Sequence, residues 1–373
     1  MALIFDQRHL NGPGVHVVLI GVGRFSTARA AELLEDDAPP DGFIDLETPM
    51  HSVEAFAAWL QAHLHVAKTP LKTIRALASS SARTSSLDVS PPTFQNLANN
   101  VRQWAADLDT DEENLGIFYF CGHGLRIGEM QFLLAEDFGT ERHAPFDNTI
   151  EPELFANAMR QYRARRQLFL IDACSTEVPF KKKYENARPR TLVQAAENGN
   201  LAGSEQCLIR ASKLGTRAFG LRNGPSLFMD ALLRAMKGGG AVSEQGGWVI
   251  STDMLKMALS WLIQSRPEGV GQEVSFGGGT LSSSVSFQTV AGRPLVPVRV
   301  MCDPRDFESV SALHVNSAQH SPAGGWPEDF DMPRGAHDFQ AVETGPQGPT
   351  VRGEVMQEPI APPYTVVAIP CED

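Results

Sequence analysis

Nothing in the sequence approaches the roughly 20 consecutive apolar residues that a bilayer-spanning helix needs. Cysteines are few: five, at 121, 174, 207, 302 and 371. That odd number, with no Cys-x-x-Cys pair, speaks against a disulfide framework or a zinc knuckle. Basic residues are in deficit, 32 Lys and Arg against 44 Asp and Glu, for a net charge of -12. The balance argues against nucleic acid as a partner and for a soluble, acidic chain. The first ten residues carry Asp6, Arg8 and His9 and lack the apolar centre of a signal peptide, so a cytoplasmic location and no membrane partner are expected. The turn Gly21-Val22-Gly23 has Ser26 where a dinucleotide-binding loop wants a third glycine, and is read as a tight turn after a strand. His51, His63 and His65 have no acidic or cysteine partner at ligand spacing, so no metal centre is expected.

What the sequence does contain is two apolar runs that stop abruptly at reactive side chains. One is Ile117-Phe118-Tyr119-Phe120, continuing into Cys121-Gly122-His123-Gly124. The other is Leu168-Phe169-Leu170-Ile171, continuing into Asp172-Ala173-Cys174. Runs of this kind are strands covered on both faces. In open α/β sheets, sites form beyond the carboxyl ends of the strands. If the two strands are parallel neighbours, His123 and Cys174 emerge side by side.

The rest of the first three-quarters alternates strand and helix. Val15–Ile20 reads as a strand, Val53–Leu64 as a helix and Leu71–Leu77 as a strand. A serine-rich loop, 79–90, leads to a helix from about Pro91 to Leu108, capped by Ser90 or Thr93. Gln131–Ala135 reads as a short strand, Glu153–Arg163 as a helix and Cys207–Ala211 as a strand. Ser226–Met236 and Thr252–Ile263 read as helices, the first ended by Gly238-Gly239-Gly240 and the second capped by Ser251 or Thr252. The alternation predicts an α/β domain with a mostly parallel sheet flanked by helices. Apolar residues, 42% of the chain, suffice for its core.

Composition shifts near Val290. The last 83 residues hold 12 of the 25 prolines, no lysine, and five arginines against twelve acids. Short alternating runs (Val296–Met301, Asp338–Val342, Thr350–Val355, Thr365–Ile369) between Pro and Gly turns predict a small antiparallel β-sandwich-like domain. The expected partition is therefore 1–290 and 291–373.

A thiol acting as nucleophile needs an imidazole to take its proton and return it to the leaving group. His123 and Cys174, ending two matched strands, are the candidate pair. The backbone N–H groups of Gly124 and Cys174 are the candidate oxyanion hole.

The segments Phe120-Cys121-Gly122-His123-Gly124 and Asp172-Ala173-Cys174 resemble the caspase and metacaspase clan of cysteine peptidases, in its bacterial caspase-like branch. The 51-residue separation of His123 and Cys174 matches the caspase interval. Pro92 to Asn96, Phe132 to Asp137, Arg210 to Ala218 and Ser226 to Met236 are similar to the segments around those motifs, and the likeness spans about residues 12–290. The resemblance implies a caspase-like sheet and an endopeptidase that acts on proteins or peptides without metal or cofactor. It further implies that Asp172, which replaces the glutamine usual in caspases proper, lines a pocket for Arg or Lys. Cys121 and Ser212 fall in pocket-forming segments. Metacaspases supply a second acid after the second strand, where this chain has Ala78-Ser79-Ser80, and Asp88 is the candidate substitute. The basic loop 181–190 contains Lys183, Arg188 and Arg190, candidate self-cleavage sites in a region that activates many relatives by cutting or ordering. A role in stress, cell suicide or antiviral defence follows from the resemblance alone.

Two other readings compete. Asp172-x-Cys174-x-Thr176 superficially resembles the haloacid dehalogenase motif, but the second acid is missing. A catalytically silent caspase-like scaffold would bind a partner, and intact His123 and Cys174 argue against it. The C-terminal region is expected to be a regulatory or interaction module that takes a protein or a small-molecule activator.

Overall fold

The computed structural model describes residues 2–25, 33, 44–79, 89–141, 143–177, 181, 187–195, 204–213, 218, 224–269, 271–277, 284–327 and 329–372. Ser26, Asp88 and Lys183 lie outside the described residues. The chain divides into two compact units, Met1–Asp230 with Ile263–Gln288, and Ala231–Leu262 with Thr289–Asp373. The division differs from the expected one in giving Ala231–Leu262 to the C-terminal unit.

The first unit contains, in order, β1 (Leu3–Asp6), β2 (Val15–Val22), α1 (Thr48–His63), β3 (Leu71–Ala78), α2 (Phe94–Leu108), β4 (Leu115–Gly122), β5 (Gly124–Ile127), β6 (Met130–Leu134), β7 (Thr149–Ile150), α3 (Pro152–Ala158), β8 (Arg166–Ala173), β9 (Thr176–Glu177), β10 (Glu205–Arg210) and the start of α4 (Leu227–Arg234). Its sheet has the order β1-β3-β2-β4-β8-β10, closed by the short strand Ser275–Phe276. The five inner strands are parallel. The two edge strands are antiparallel.

Strand β4 shows why the central runs are apolar throughout. Phe118 faces α2, where its ring packs with Trp104 and with Phe155 and Phe169. Tyr119 faces the other way, edge-on to Phe56 of α1 at 5.6 Å. Alternate side chains thus enter two cores, and a polar residue on either face would lack water. Helix α2 starts at Phe94, three residues later than expected, with Thr93, one of the two expected caps, at its N-terminus. Thr93 Oγ1 accepts from Asn96 N–H at 3.4 Å, and Asp137 Oδ1 accepts from Phe94 N–H at 2.8 Å.

The segment after His123 departs from strict alternation. Strands β5 and β6 form a hairpin, and a turn this short permits only antiparallel pairing. With β7 and β9 they make a separate four-stranded sheet, order β7-β6-β5-β9. Gln131–Ala135 is therefore a strand, but not of the main sheet. The expected helix Glu153–Arg163 is shorter, ending at Ala158 in a tight turn, Met159–Gln161.

In the second unit, Ala241–Glu244 and Gly247–Ser251 form a hairpin ahead of the helix Thr252–Gln264. Two sheets share one core: a three-stranded sheet (Phe330–Pro333, Leu295–Asp303, Thr365–Pro370) and a four-stranded one (Ala318–Ser321, Ser311–Val315, Gly335–Gly345, Gly348–Ile360). Val298, Cys302 and Ile369 from the first meet Leu313, Phe339 and Ala341 from the second. The expected antiparallel sandwich needs one correction. Leu295–Asp303 and Thr365–Pro370 pair parallel, because the two strands are joined through the whole second sheet and not by a turn. Gly238 ends the chain's passage out of α4. Its φ is +158°, and a Cβ there would collide with the backbone of Leu295. No helix among the described residues is long and apolar enough to cross a membrane.

Candidate active site

Strands β4 and β8 pair in parallel from Leu115↔Arg166 to Cys121↔Asp172 and Gly122↔Ala173. The next residue on each is His123 and Cys174. Both line a cavity of about 110 Å³ at the carboxyl end of the sheet, together with Cys121, Asp172, Ala218 and Ser226. The cavity therefore lies where a parallel sheet opens its strand ends to a ligand.

His123 is half-buried. Its Nε2–H donates to the carbonyl of Ile44 at 2.7 Å, and the ring of Phe25 meets it edge-on with centroids 4.9 Å apart. In the neutral imidazole this leaves Nδ1 with the lone pair. Desolvation lowers the His123 pKa from 6.5, against the opposing pull of the Ile44 carbonyl and Asp45. The ring is thus neutral at pH 7, in the form that accepts a proton. Cys174 Sγ lies against the Ala218 peptide, accepting from its N–H at 3.3 Å and reaching its carbonyl oxygen at 3.6 Å.

Gly124 begins β5, and β5 runs parallel to β9, so the segments that follow His123 and Cys174 are stitched together just past the cavity. A Cβ on Gly124 would collide with the carbonyl oxygen of Cys174. That carbonyl also accepts from Gln131 Nε2 at 3.1 Å.

Asp172 is 3% exposed and forms part of the cavity wall. Its Oδ2 accepts from Tyr119 Oη at 2.7 Å and from the hydroxyl of Ser226. Burial pushes its pKa up from 3.8 to about 6, and the hydrogen bonds from Ser226, Tyr119 and Cys121 oppose that rise. Burial, reinforced by the carboxylate, pushes the Tyr119 hydroxyl and the Cys121 thiol well up, so both stay protonated as donors. Ser226 also accepts from Met229 N–H at 2.8 Å, capping α4.

Of the other candidate residues, Ser212 is fully buried, and its hydroxyl donates to the Ala173 carbonyl at 2.7 Å rather than facing the cavity. Arg188 is exposed. Arg190 is ion-paired to Asp147 and bridged through its backbone to Ile150. At the end of β3, where the metacaspase pattern places a second acid, Ser79 Oγ donates to Glu136 Oε2 at 2.6 Å and accepts from Gly23 N–H at 3.1 Å. The carboxylate at this strand end comes from another segment.

Four participants escape sequence reading. Ile44 contributes only a carbonyl, which any residue has. Tyr119 hides in an apolar run, and Ser226 looks like an ordinary helix cap. Gln131 had a signal, a lone polar residue inside a strand that is otherwise apolar. Among the described residues no group of three or more His, Cys, Asp or Glu is placed to hold a metal ion.

The caspase domain family model matches residues 42–252. An uncharacterized protein, y4kE, of Sinorhizobium fredii (strain NBRC 101917 / NGR234) is 26% identical over 225 residues. The match covers 59% of this chain and 65% of that protein, so the chain spans less than two thirds of its relative's length. The crystal structure of caspase-1 from Spodoptera frugiperda superposes with a TM-score of 0.44 and 10% identity, over 78% of this chain and 99% of that one.

Proposed function

The chain belongs to the caspase domain family of cysteine peptidases, and we propose that it is an endopeptidase cutting after Arg, less often Lys, with His123 and Cys174 as its dyad. The observation that carries this reading is the register of β4 and β8, which brings the two residues out together on one cavity whose wall includes a buried carboxylate.

The chemistry runs on groups already described. Nδ1 of His123 takes the thiol proton, and the Cys174 thiolate adds to the scissile carbonyl. The N–H groups of Gly124 and Cys174 receive the oxyanion. His123 returns the proton to the leaving amine, and water hydrolyses the thioester. Asp172 holds the substrate's cation. With two hydroxyls fixing Oδ2, its charge is pre-organised, and an acidic side chain in the same place would be repelled.

Among the self-cleavage candidates, exposed Arg188 is favoured over Arg190, which is tied to Asp147 and Ile150. The C-terminal unit is the candidate regulatory module, responding to a protein or small-molecule activator.

A fluorogenic peptide panel that varies the residue before the scissile bond, run on wild type and Cys174→Ala, tests the reading. Arg-selective cleavage lost in the variant supports it. Cleavage after Asp keeps the peptidase and overturns the role of Asp172. No cleavage of any peptide, with or without the Arg188 loop nicked, favours the silent scaffold.

A further inference from the structure

The two peptide groups that flank the Cα of Cys174 are each held by a side chain from another strand or loop. Ser212 Oγ donates to the carbonyl of Ala173 at 2.7 Å. Gln131 Nε2 donates to the carbonyl of Cys174 at 3.1 Å. The Ala173 carbonyl and the Cys174 N–H belong to one planar trans peptide, so they point in opposite directions. Fixing that carbonyl fixes the direction of the N–H. We infer that Ser212 and Gln131 are positioning residues that clamp both peptide planes at the nucleophile, Ser212 aiming the Cys174 N–H at the oxyanion and Gln131 holding the following plane. The inference rests on the reading of His123 and Cys174 as a peptidase dyad.

Each clamp is anchored from behind. Ser212 extends the β8–β10 ladder by one rung. The N–H of Ala211 donates to Ile171 O at 2.8 Å, and where the strand pairing ends the Ser212 side chain takes the next carbonyl. The loop is held in turn by Gln272 Nε2 on Ala211 O at 3.0 Å and by Ser275 Oγ on Ser212 O at 3.3 Å. Gln131 receives Arg210 Nε on its Oε1 at 3.1 Å, and Arg210 Nη2 meets Glu153 Oε1 at 2.7 Å. The amide is thereby oriented with its NH₂ toward Cys174. Ser212 and Gln131 are both fully buried, so neither contact competes with water.

An oxyanion donor is worth about 10²–10³ in kcat when removed. A donor left in place but unclamped loses part of that. The expected result for Ser212→Ala is a fall in kcat of about tenfold to a hundredfold with KM unchanged. Binding of a peptide aldehyde matched to the best substrate, whose hemithioacetal oxygen occupies the oxyanion position, falls by a similar factor. Alkylation of Cys174 by iodoacetamide, which forms no oxyanion, keeps its rate. Ser212→Thr retains the hydroxyl and restores kcat. Gln131→Glu keeps an acceptor for Arg210 but loses the donor to Cys174, and lowers kcat with the same pattern. Unchanged kcat in Ser212→Ala, or equal loss of alkylation, aldehyde binding and melting temperature, overturns the clamp. If wild type cleaves no peptide, the peptidase reading fails first and the clamp falls with it, whereas an active wild type with an indifferent Ser212→Ala removes the clamp alone.

Discussion

Gly124 lies against the backbone of Cys174: a Cβ on it would strike the Cys174 carbonyl oxygen and stand 3.0 Å from the Ala173 Cβ. The histidine loop and the cysteine loop are therefore in contact through main chain, and only glycine allows it. Gly124→Ala must push the Cys174 carbonyl away. The expected outcome is a loss of kcat/KM of about a hundredfold, comparable to an oxyanion donor. The accompanying destabilisation should be about 1–3 kcal/mol, read by denaturant unfolding.

Asp172 predicts an opposition between activity and stability. In the folded chain it keeps its proton up to about pH 6, against an ordinary value of 3.8. Folding therefore takes up a proton between these values. The stability associated with neutral Asp172 is fully present below about 3.8 and is lost as pH rises through 6. At pH 8 the buried charge costs on the order of 2–3 kcal/mol. Asp172→Asn, whose amide oxygen still accepts from Tyr119 and Ser226, should raise the melting temperature at pH 8, converge with wild type near pH 4, and lose Arg-selective cleavage. A variant less stable than wild type at pH 8 would contradict this account.

Two titrations should separate in the pH dependence of cleavage after Arg. Protonation of Asp172 near pH 6 weakens substrate binding, so KM rises as pH falls through that value. His123, held below 6.5 by desolvation, stays a base into more acidic solution, so the fall in kcat begins below 6.5. Steady-state kinetics from pH 4.5 to 8 measure both, and a kcat limb above 6.5 would refute the assignment to His123.

The C-terminal unit carries its own weak point. Arg234 is 11% exposed and bridges Asp329 Oδ2 at 2.6 Å and Asp331 Oδ1 at 2.7 Å. Arg234→Ala leaves two acids facing each other without their cation. Removing one partner of a buried pair costs about 3–5 kcal/mol. Urea unfolding of the variant should show that loss, recovered in part by adding Asp329→Asn.

The strands that build the site were legible because burial on both faces leaves a plain apolar run, and because each run ends at a residue with different chemistry. His123 and Cys174 stand out for that reason, and Thr93 for its capping position. The missing parts are long-range or local to the backbone. Edge strands such as Leu3–Asp6 and Ser275–Phe276 are too short for a period to show. The role of Ser212 depended on which carbonyl its hydroxyl would find, and its segment suggested a pocket instead. The parallel pairing of Leu295–Asp303 with Thr365–Pro370 joins strands about 70 residues apart, beyond the reach of any local pattern.

The two units are interleaved along the chain, the first being completed by Ile263–Gln288 only after Ala231–Leu262 has left it. On the ribosome, the closing strand Ser275–Phe276 thus emerges after the chain has already committed a hairpin and a helix to the other unit. A chain cut at 290 would finish the seven-stranded sheet yet leave Ala231–Leu262 without nearly all of Thr289–Asp373, the rest of its unit. The unit that carries the caspase-like sheet is therefore not a detachable N-terminal module, and trimming it to size calls for excising an internal segment rather than moving a stop codon.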